Sequence, residues 1–220
     1  MKTQIETTNK KYTEEQFLRF IDLMTDQKFE FADGEIIPVQ ESEALDSSFV
    51  DYVLGNNFDE TQITKLFIMA TAKHDTIISN LHTILGIYAR TAKKYAIYSQ
   101  GTHVRIDITG RTRMPDILVV EKKDAKRNEQ HQLLNPKLVM EVLSKSTQSK
   151  DKNEKLDEYQ SIESLEEYVL ISQDQHQVIR FSKIDEFHWN QEILRGLDKT
   201  LSLDSIDFVI TLADIYADAE

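Results

Sequence analysis

Two acidic side chains interrupt two apolar segments of the chain. Asp116 stands near the head of the apolar run 115–120, and Glu141 stands inside the apolar run 138–143. An ionised carboxylate among apolar neighbours is unfavourable unless it is paired or binds a metal ion. Two carboxylates on neighbouring strands suit Mg²⁺ or Mn²⁺, which bind oxygen ligands. We therefore expect Asp116, Glu141 and the main-chain carbonyl of Val142 to form a metal site of the kind that hydrolyses phosphodiesters.

Each carboxylate also has a simpler interpretation when it is taken alone. Asp116 or Glu141 can be a strand-end group exposed to solvent, or it can pair with an arginine such as Arg105 or Arg113. This simpler interpretation weakens when the two carboxylates are considered together, because they lie on adjoining predicted strands.

A lysine follows the second acidic strand on a charged helical segment. Asp151 and Glu154 predict the beginning of a helix that runs to about residue 162, and Lys155 lies in its first turn. There, Lys155 can bring positive charge to a phosphate beside the two carboxylates. The alternative is a surface ion pair of Lys155 with Glu154 or Asp151, and the local spacing alone favours that alternative.

The elements that would position these residues follow from hydrophobic periodicity. Helices are predicted over about 13–26 and 63–94, and the turn pair Asp33-Gly34 predicts a hairpin over 29–38. The remaining strands are predicted at 96–98, 103–108, 115–120, 138–143, 168–172 and 178–181, before a tail of short strand-like and helical pieces. Because strands follow one another in runs, we expect an α+β fold with a mixed, mainly antiparallel sheet flanked by helices.

Length and composition limit the class of protein. The 220 residues are enough for one domain with a sizeable core, predicted to span 1–220 with a possible insertion at 39–66. No apolar run reaches the length of a membrane span, and the first residues lack the apolar core of a signal peptide. The absence of cysteine excludes disulfides, thiolate zinc sites and thiol nucleophiles. We therefore expect a cytoplasmic protein that does not enter a membrane.

The net charge of −12 hides an uneven distribution. Residues 1–60 hold 5 basic and 14 acidic side chains, and residues 156–220 hold 4 basic and 15 acidic ones. Residues 61–155, which include the candidate site, hold 17 basic and 9 acidic side chains. This distribution favours a groove for phosphates around the site, and ordinary segregation of surface charge is the alternative.

Several motifs, in order along most of the chain, resemble those of the Uma2 family of bacterial and cyanobacterial proteins. That family has the restriction-endonuclease-like fold of the PD-(D/E)xK superfamily, and the resemblance covers about residues 12–181. The motifs are Phe29–Ile36 (FEFADGEI), His74 with Ile77 or Ile78 and Leu81, Val104–Ile106, Pro115-Asp116 with its apolar run, EVLSKST at 141–147 with Asp151, Glu154, Lys155 and Tyr159, and Glu167–Ile171.

The resemblance implies a metal-dependent nuclease with DNA as its substrate. It implies that Asp116 and Glu141 are ligands of Mg²⁺ or Mn²⁺, that Lys155 is the catalytic lysine carried by a helix, and that Glu30 is an accessory carboxylate. Two positions depart from the pattern. The superfamily's lysine usually stands two residues after the strand carboxylate, where this chain has Leu143, and Lys145 stands where the family commonly has proline.

Leu143 and the acidic ends of the chain motivate a second hypothesis, a catalytically inactive nuclease fold retained as a binding or dimerisation module. With either function we expect a homodimer, because nucleases that act on duplex DNA commonly match its two-fold symmetry.

Other classes of site have weaker support. His74, His82 and His103 could suggest a zinc cluster, but they lack the spacing of a metalloprotease motif. No Walker loop or Gly-x-Gly-x-x-Gly is present, which argues against nucleotide-binding folds. Ser144 and Ser146 lie outside any Gly-x-Ser-x-Gly elbow, which argues against a serine hydrolase.

Overall fold

The computed structural model describes residues 10–25, 27–39, 44–55, 71–99, 101–143 and 151–219, with 151–153 as backbone alone. The helices in these residues are α1 (Glu14–Leu23), α2 (Ser47–Leu54), α3 (Ala72–Ala92), α4 (Asp151–Gln160) and α5 (Leu212–Ile215). The strands are β1 (Phe29–Ala32), β2 (Glu35–Pro38), β3 (Tyr95–Ser99), β4 (Val104–Ile106), β5 (Arg111–Arg113), β6 (Ile117–Glu121), β7 (Leu138–Leu143), β8 (Glu167–Ser172), β9 (Gln177–Lys183), β10 (Trp189–Arg195), β11 (Thr200–Leu203) and β12 (Phe208–Thr211).

The centre of the fold is a six-stranded sheet with the strand order β10-β9-β8-β7-β6-β3. Neighbouring strands run antiparallel, except that β7 and β8 are parallel. A parallel pair needs a long crossover connection, and α4 lies in the segment that makes this connection. The strand carrying Glu141 and the helix carrying Lys155 are therefore consecutive parts of one crossover unit.

The six-stranded sheet has an apolar cluster on each face. Side chains alternate between the two faces of a strand, so Met140 and Val142 of β7 pack with α3 residues such as Leu81, whereas Val139 and Leu143 pack in a second cluster with Tyr159 of α4. Glu141 falls, by the same alternation, on the face that α4 covers.

A second sheet, with the order β2-β1-β5-β4, carries Glu30. Helices α1 and α2 pack on it through an aromatic cluster, in which the rings of Phe17 and Phe31 stack at 5.2 Å and those of Phe20 and Phe29 meet edge to face at 5.0 Å. Helix α1 begins with a capping box between Thr13 and Gln16. A small β11–β12 pair completes the sheets among the described residues.

The predicted fold class, a mixed and mainly antiparallel sheet flanked by helices, is confirmed. Local differences have physical causes. Helix α2 lies where a loop or insertion was expected, because its eight residues are too few to show clear periodicity. Strand β5 was missed, because its sequence Arg-Thr-Arg has no apolar side chain to mark it. The predicted helix over 63–94 is observed as α3 from Ala72, and residues 56–70 and 144–150 lie outside the described ranges.

Within the described residues, α3 is the longest helix, and none of the helices has the length and apolarity needed to cross a membrane.

Candidate functional site

The antiparallel pairing of β6 with β7 brings Asp116 beside Glu141. The last registered pair is Ile117 with Met140, and one further step of this register places Asp116 opposite Glu141. The main-chain N–H of Val142 donates to Oδ2 of Asp116 at 2.8 Å. Because the N–H and C=O of one strand residue point to the same side of the strand, the Val142 carbonyl also faces the side on which Asp116 lies.

Glu141 is a buried carboxylate with two polar side chains near it among the described residues. The hydroxyl of Tyr159 donates to its Oε1 at 3.2 Å, and Nζ of Lys155 lies 3.8 Å from the same oxygen. Burial raises the pKa of Glu141 to about 8, although Lys155 opposes the shift. The negative charges of Asp116 and Glu30 raise this pKa further. A carboxyl group in this setting keeps its proton near neutral pH until more positive charge arrives.

Glu30 is equally buried but is well paired. Its Oε1 accepts from the N–H of Met114 at 3.2 Å and lies 3.2 Å from Nζ of Lys155. Its Oε2 accepts from Nη1 of Arg113 at 2.9 Å. Burial acts to raise the pKa of Glu30, but Lys155 and Arg113 outweigh burial and lower it. Glu30 is therefore ionised at neutral pH.

Arg113 of β5 links α4 to the second sheet by hydrogen bonds to Glu158. Its Nε donates to Oε2 of Glu158 at 2.7 Å, and its Nη2 donates to Oε1 of Glu158 at 2.8 Å, with both side chains buried. Arg111, on the same face of β5, contacts Glu158 and Glu154. Two-point pairing between a guanidinium and a carboxylate fixes orientation as well as distance. These contacts hold the helix that carries Lys155 against β1 and β5.

The structure places Lys155 between the two glutamates rather than on the surface. Its side chain is buried, with Nζ near Glu30 and Glu141. The alternative that placed Lys155 at the surface is therefore wrong about its position. Leu143, where the superfamily usually has its lysine, packs in the apolar cluster that contains Tyr159. The position on the strand is filled by core packing, and the positive charge comes from the helix.

A histidine that was not among the predicted site residues lies against Asp116. Nε2 of His74, in the first turn of α3, is 3.5 Å from Oδ2 of Asp116. Its Nδ1 is buried and has no hydrogen-bond partner among the described residues, with Oδ1 of Asp75 at 3.6 Å. Burial acts to lower the pKa of His74, but Asp116 and Asp75 outweigh burial and raise it. The signal that could have found it is the family motif formed by His74 with Ile77 or Ile78, since His74 is the third residue after the helix cap at Thr71.

The arginines that could have paired with the strand carboxylates have other partners. In the described part of the chain, Arg105 contacts Glu14, and Arg113 contacts Glu30 and Glu158. Pairing of Asp116 or Glu141 with either arginine is therefore wrong, and so is their exposure to solvent, because both carboxylates are buried.

The described residues contain no group of three or more His, Asp or Glu side chains arranged to hold a metal ion. This finding removes support for a zinc cluster of His74, His82 and His103. Nε2 of His103 instead lies 3.2 Å from the carbonyl oxygen of Phe29. The donors available beside β6 and β7 are the two carboxylates and the main-chain carbonyl of Val142.

Comparisons with known proteins agree on family and fold. The family model described as "Uma2: Putative restriction endonuclease" matches residues 60–213. A Synechocystis protein (strain PCC 6803), described as uncharacterized, is 31% identical over 128 residues, which are 58% of this chain and 72% of that protein. A crystal structure of a "putative nuclease belonging to DUF820" from Anabaena variabilis superposes with a TM-score of 0.61 at 16% identity, covering 89% of this chain and 93% of that one. At that identity, the structural likeness concerns the fold alone.

Proposed function

Because the chain belongs to the Uma2 family, we propose that it is an endonuclease that uses Mg²⁺ or Mn²⁺ to hydrolyse DNA phosphodiester bonds. The observation that carries the proposal is the buried cluster at the start of β6, where Asp116 and Glu141 lie side by side and Nζ of Lys155 is 3.8 Å from Glu141. Two adjacent carboxylates and a cation are the groups that metal-assisted phosphodiester hydrolysis requires.

The donor set fits a divalent cation. Asp116, Glu141 and the Val142 carbonyl offer three oxygen atoms, and Mg²⁺ in proteins commonly uses one or two carboxylates together with water and substrate phosphate. A bound cation would also offset the repulsion from Asp116 that helps to raise the pKa of Glu141. When bound, such an ion would stabilise negative charge on the phosphate and lower the pKa of a water molecule.

Lys155 would act on the phosphate. An ammonium group has three N–H donors, and Glu30 and Glu141 orient it. Lys155 would donate to a non-bridging phosphate oxygen and stabilise the charge that develops there in the transition state. Glu30 would keep Lys155 protonated and would act as the accessory carboxylate that orients a second water molecule or metal ion.

Arg113 and Tyr159 would position these groups without touching the substrate. Arg113 joins Glu30 to the helix of Lys155, so it fixes the distance between the accessory carboxylate and the cation. The Tyr159 hydroxyl donates to Glu141, which fixes the rotamer of that carboxylate. Preorganised groups of this kind stabilise a transition state without rearranging during the reaction.

The experiment that tests this function is plasmid nicking with Mg²⁺ or Mn²⁺, comparing wild type with Asp116→Ala. We expect wild type to nick supercoiled DNA and Asp116→Ala to be inactive. Asp107→Ala is the matched control, because Asp107 is an exposed aspartate in the turn between β4 and β5. Equal nicking by wild type and Asp116→Ala would reject the proposal, since a contaminating nuclease would then explain the cleavage.

The second candidate is a nuclease fold without catalysis, retained as a binding or dimerisation module. Its support is Leu143, which fills the usual lysine position with a core side chain. This candidate predicts that Mn²⁺ does not bind when it is titrated into the protein by calorimetry. Binding that is lost in Glu141→Ala would favour the nuclease, whereas absence of both binding and nicking would favour the module.

The remaining functional assignments follow from the substrate. A DNA substrate would place the protein in the cytoplasm of a bacterial cell, and we expect the protein to act as a homodimer.

A further inference from the structure

The six-stranded sheet has two ends with different surfaces. Asp116 and Glu141 lie toward one end. The opposite end, here called the far end, is formed where β6 and β9 finish and where β3, β7, β8 and β10 begin. The register fixes this arrangement, because Tyr95 pairs with Glu121, and Glu167 pairs with both Leu138 and Ser182.

One edge of the far end carries a groove of about 1000 Å³ beside the turn from β9 to β10. Six acidic and two basic side chains line it. Arg180 pairs with Glu167 and Asp204, Lys137 with Glu166 and His188 with Asp185, and Nζ of Lys183 donates to a main-chain carbonyl at 2.8 Å. Among the described residues, Glu163 and Glu186 are the lining carboxylates that have no ion pair, so they carry the free negative charge of the groove. Three exposed apolar side chains also line it, Ile108 at 77%, Ile184 at 67% and Phe187 at 80%. An acidic groove with an apolar rim suits a basic surface that has an apolar side chain of its own.

The other edge of the far end is basic. The N–H of Lys122 donates to the main-chain oxygen of Lys94 at 2.9 Å, so the turns that hold Lys93-Lys94 and Lys122-Lys123 lie side by side. All four lysines are exposed; Lys94 pairs with Glu121 at 3.0 Å, so Lys93, Lys122 and Lys123 supply the excess positive charge, and Ile87 on the last turns of α3 is exposed as well. The charge of this basic edge is opposite to that of the acidic groove, and Ile87 gives the edge an apolar group that can meet the apolar rim of the groove.

We propose that two copies of the chain form a closed dimer through their far ends, with the acidic groove of each copy on the basic edge of the other. The two surfaces lie on the same end of one sheet, three to five strands apart, or ~15–25 Å at the usual strand spacing. Consider a two-fold axis that lies in the plane of the interface, perpendicular to the sheet and midway between the two surfaces. Rotation about this axis places the acidic groove of one copy opposite the basic edge of the other. Both contacts then form twice and the assembly closes.

This dimer does not depend on the nuclease function. It would leave the Asp116 end of each sheet facing away from the partner, so the two candidate sites would point in opposite directions. Each site would then act on its own DNA segment, and nicks would accumulate before double-strand breaks.

The first test is the oligomeric state of the whole chain by sedimentation velocity across micromolar concentrations. We expect a dimer whose dissociation constant rises at least ~10-fold in Phe187→Ser, as for truncation of a central apolar contact. Leu197→Ser is the matched control, because Leu197 is 43% exposed and follows β10 at the opposite end of that strand. A wild-type monomer at every concentration, or a dimer equally stable in both variants, would overturn the proposal.

A charge exchange tests the same contact without removing apolar surface. Glu163→Lys/Glu186→Lys in the groove and Lys122→Glu/Lys123→Glu on the basic edge should each weaken the dimer. The protein that carries all four changes should recover it, because opposite charges again face each other. Failure of the combined variant to recover, with circular dichroism showing that it is folded, would exclude the pairing of these two surfaces.

Discussion

Glu141 on β7 and Glu167 on β8 are both buried carboxylates on adjacent strands, but their surroundings differ. Glu167 accepts from Nε of Arg180 at 2.7 Å, from the N–H of Asp204 at 3.2 Å and from the N–H of Ser205 at 3.0 Å. Among the described residues, Glu141 accepts from the Tyr159 hydroxyl and has Nζ of Lys155 at 3.8 Å.

The difference separates a structural carboxylate from one suited to chemistry. Glu167 has enough donors and positive charge to offset its burial, so it stabilises the packing of β8 against the β11–β12 region. Glu141 faces the negative charges of Asp116 and Glu30, so its burial is compensated only in part. A buried group in such a setting is a candidate for ligand or cation binding.

The largest expected difference between the two glutamates is in activity. Under the proposed function, Glu141→Gln should lower the rate of plasmid nicking about 1000-fold, because it would remove a proposed metal ligand. Glu167→Gln should stay within a few-fold of wild type at a temperature at which circular dichroism shows both variants folded. Comparable losses in the two variants would mean that burial, and not the position beside Asp116, decides the effect.

The next difference is in stability. Glu167→Ala should lower the free energy of unfolding by about 3–4 kcal/mol, because it leaves Arg180 with one partner fewer and two main-chain N–H groups without an acceptor. Urea unfolding measures the change. Glu192→Ala is the control, since Glu192 is exposed and lies 3.6 Å from the same Arg180, and its loss should be below about 1 kcal/mol.

Glu141→Gln should have the opposite effect on stability at high pH. Since the pKa of Glu141 is about 8 in the folded protein and lower in the unfolded chain, wild type loses stability as pH rises through this value. With metal chelated, the variant should match wild type near pH 4 and exceed it by about 2–3 kcal/mol at pH 9. Glu129→Gln, in an exposed loop, should show no such divergence. Parallel stability curves for Glu141→Gln and wild type would contradict the raised pKa.

The smallest expected effect concerns the hydrogen bond from the Tyr159 hydroxyl to Glu141. Tyr159→Phe removes this donor while keeping the ring that packs 4.9 Å from Tyr168, and should lower the free energy of unfolding by about 1 kcal/mol. Since the remaining carboxylate is less well stabilised in its charged form, the titration of Glu141 should move upward, which carboxyl NMR can detect. Tyr98→Phe serves as the control, and an unchanged Glu141 titration in Tyr159→Phe would show that the hydroxyl is not a significant partner.

Much of this fold could be predicted from the sequence, because its central strands are marked by uninterrupted apolar runs. Strand β7 has the predicted bounds, and the mixed antiparallel sheet and the family resemblance are both confirmed. Strand β5 and helix α2 could not be predicted. The first has no apolar residue, and the second is too short for its periodicity to stand out.

Less of the candidate site than of the fold could be predicted from the sequence. Asp116 and Glu141 stand out in the sequence as charges in apolar runs. The sequence does not distinguish Glu141 from Glu167, however, and only the structure shows that Arg180 pairs with Glu167 and with Asp204 beside it. Lys155 illustrates the same limit. Its local spacing favours a surface pair, and only the docking of α4 by Arg113 shows that the side chain points inward. The metal roles of Asp116, Glu141 and Val142 stay predictions.

The contact between Glu30 and Lys155 joins residues 125 positions apart in the chain. Closing a loop of this length carries an entropic penalty that must be met before the contact forms, so such contacts depend on prior assembly of the intervening strands. A chain still emerging from the ribosome, or one truncated before α4, cannot bring the lysine to the carboxylates. Under the proposed function, hydrolytic capacity would therefore appear only in chains synthesised beyond α4.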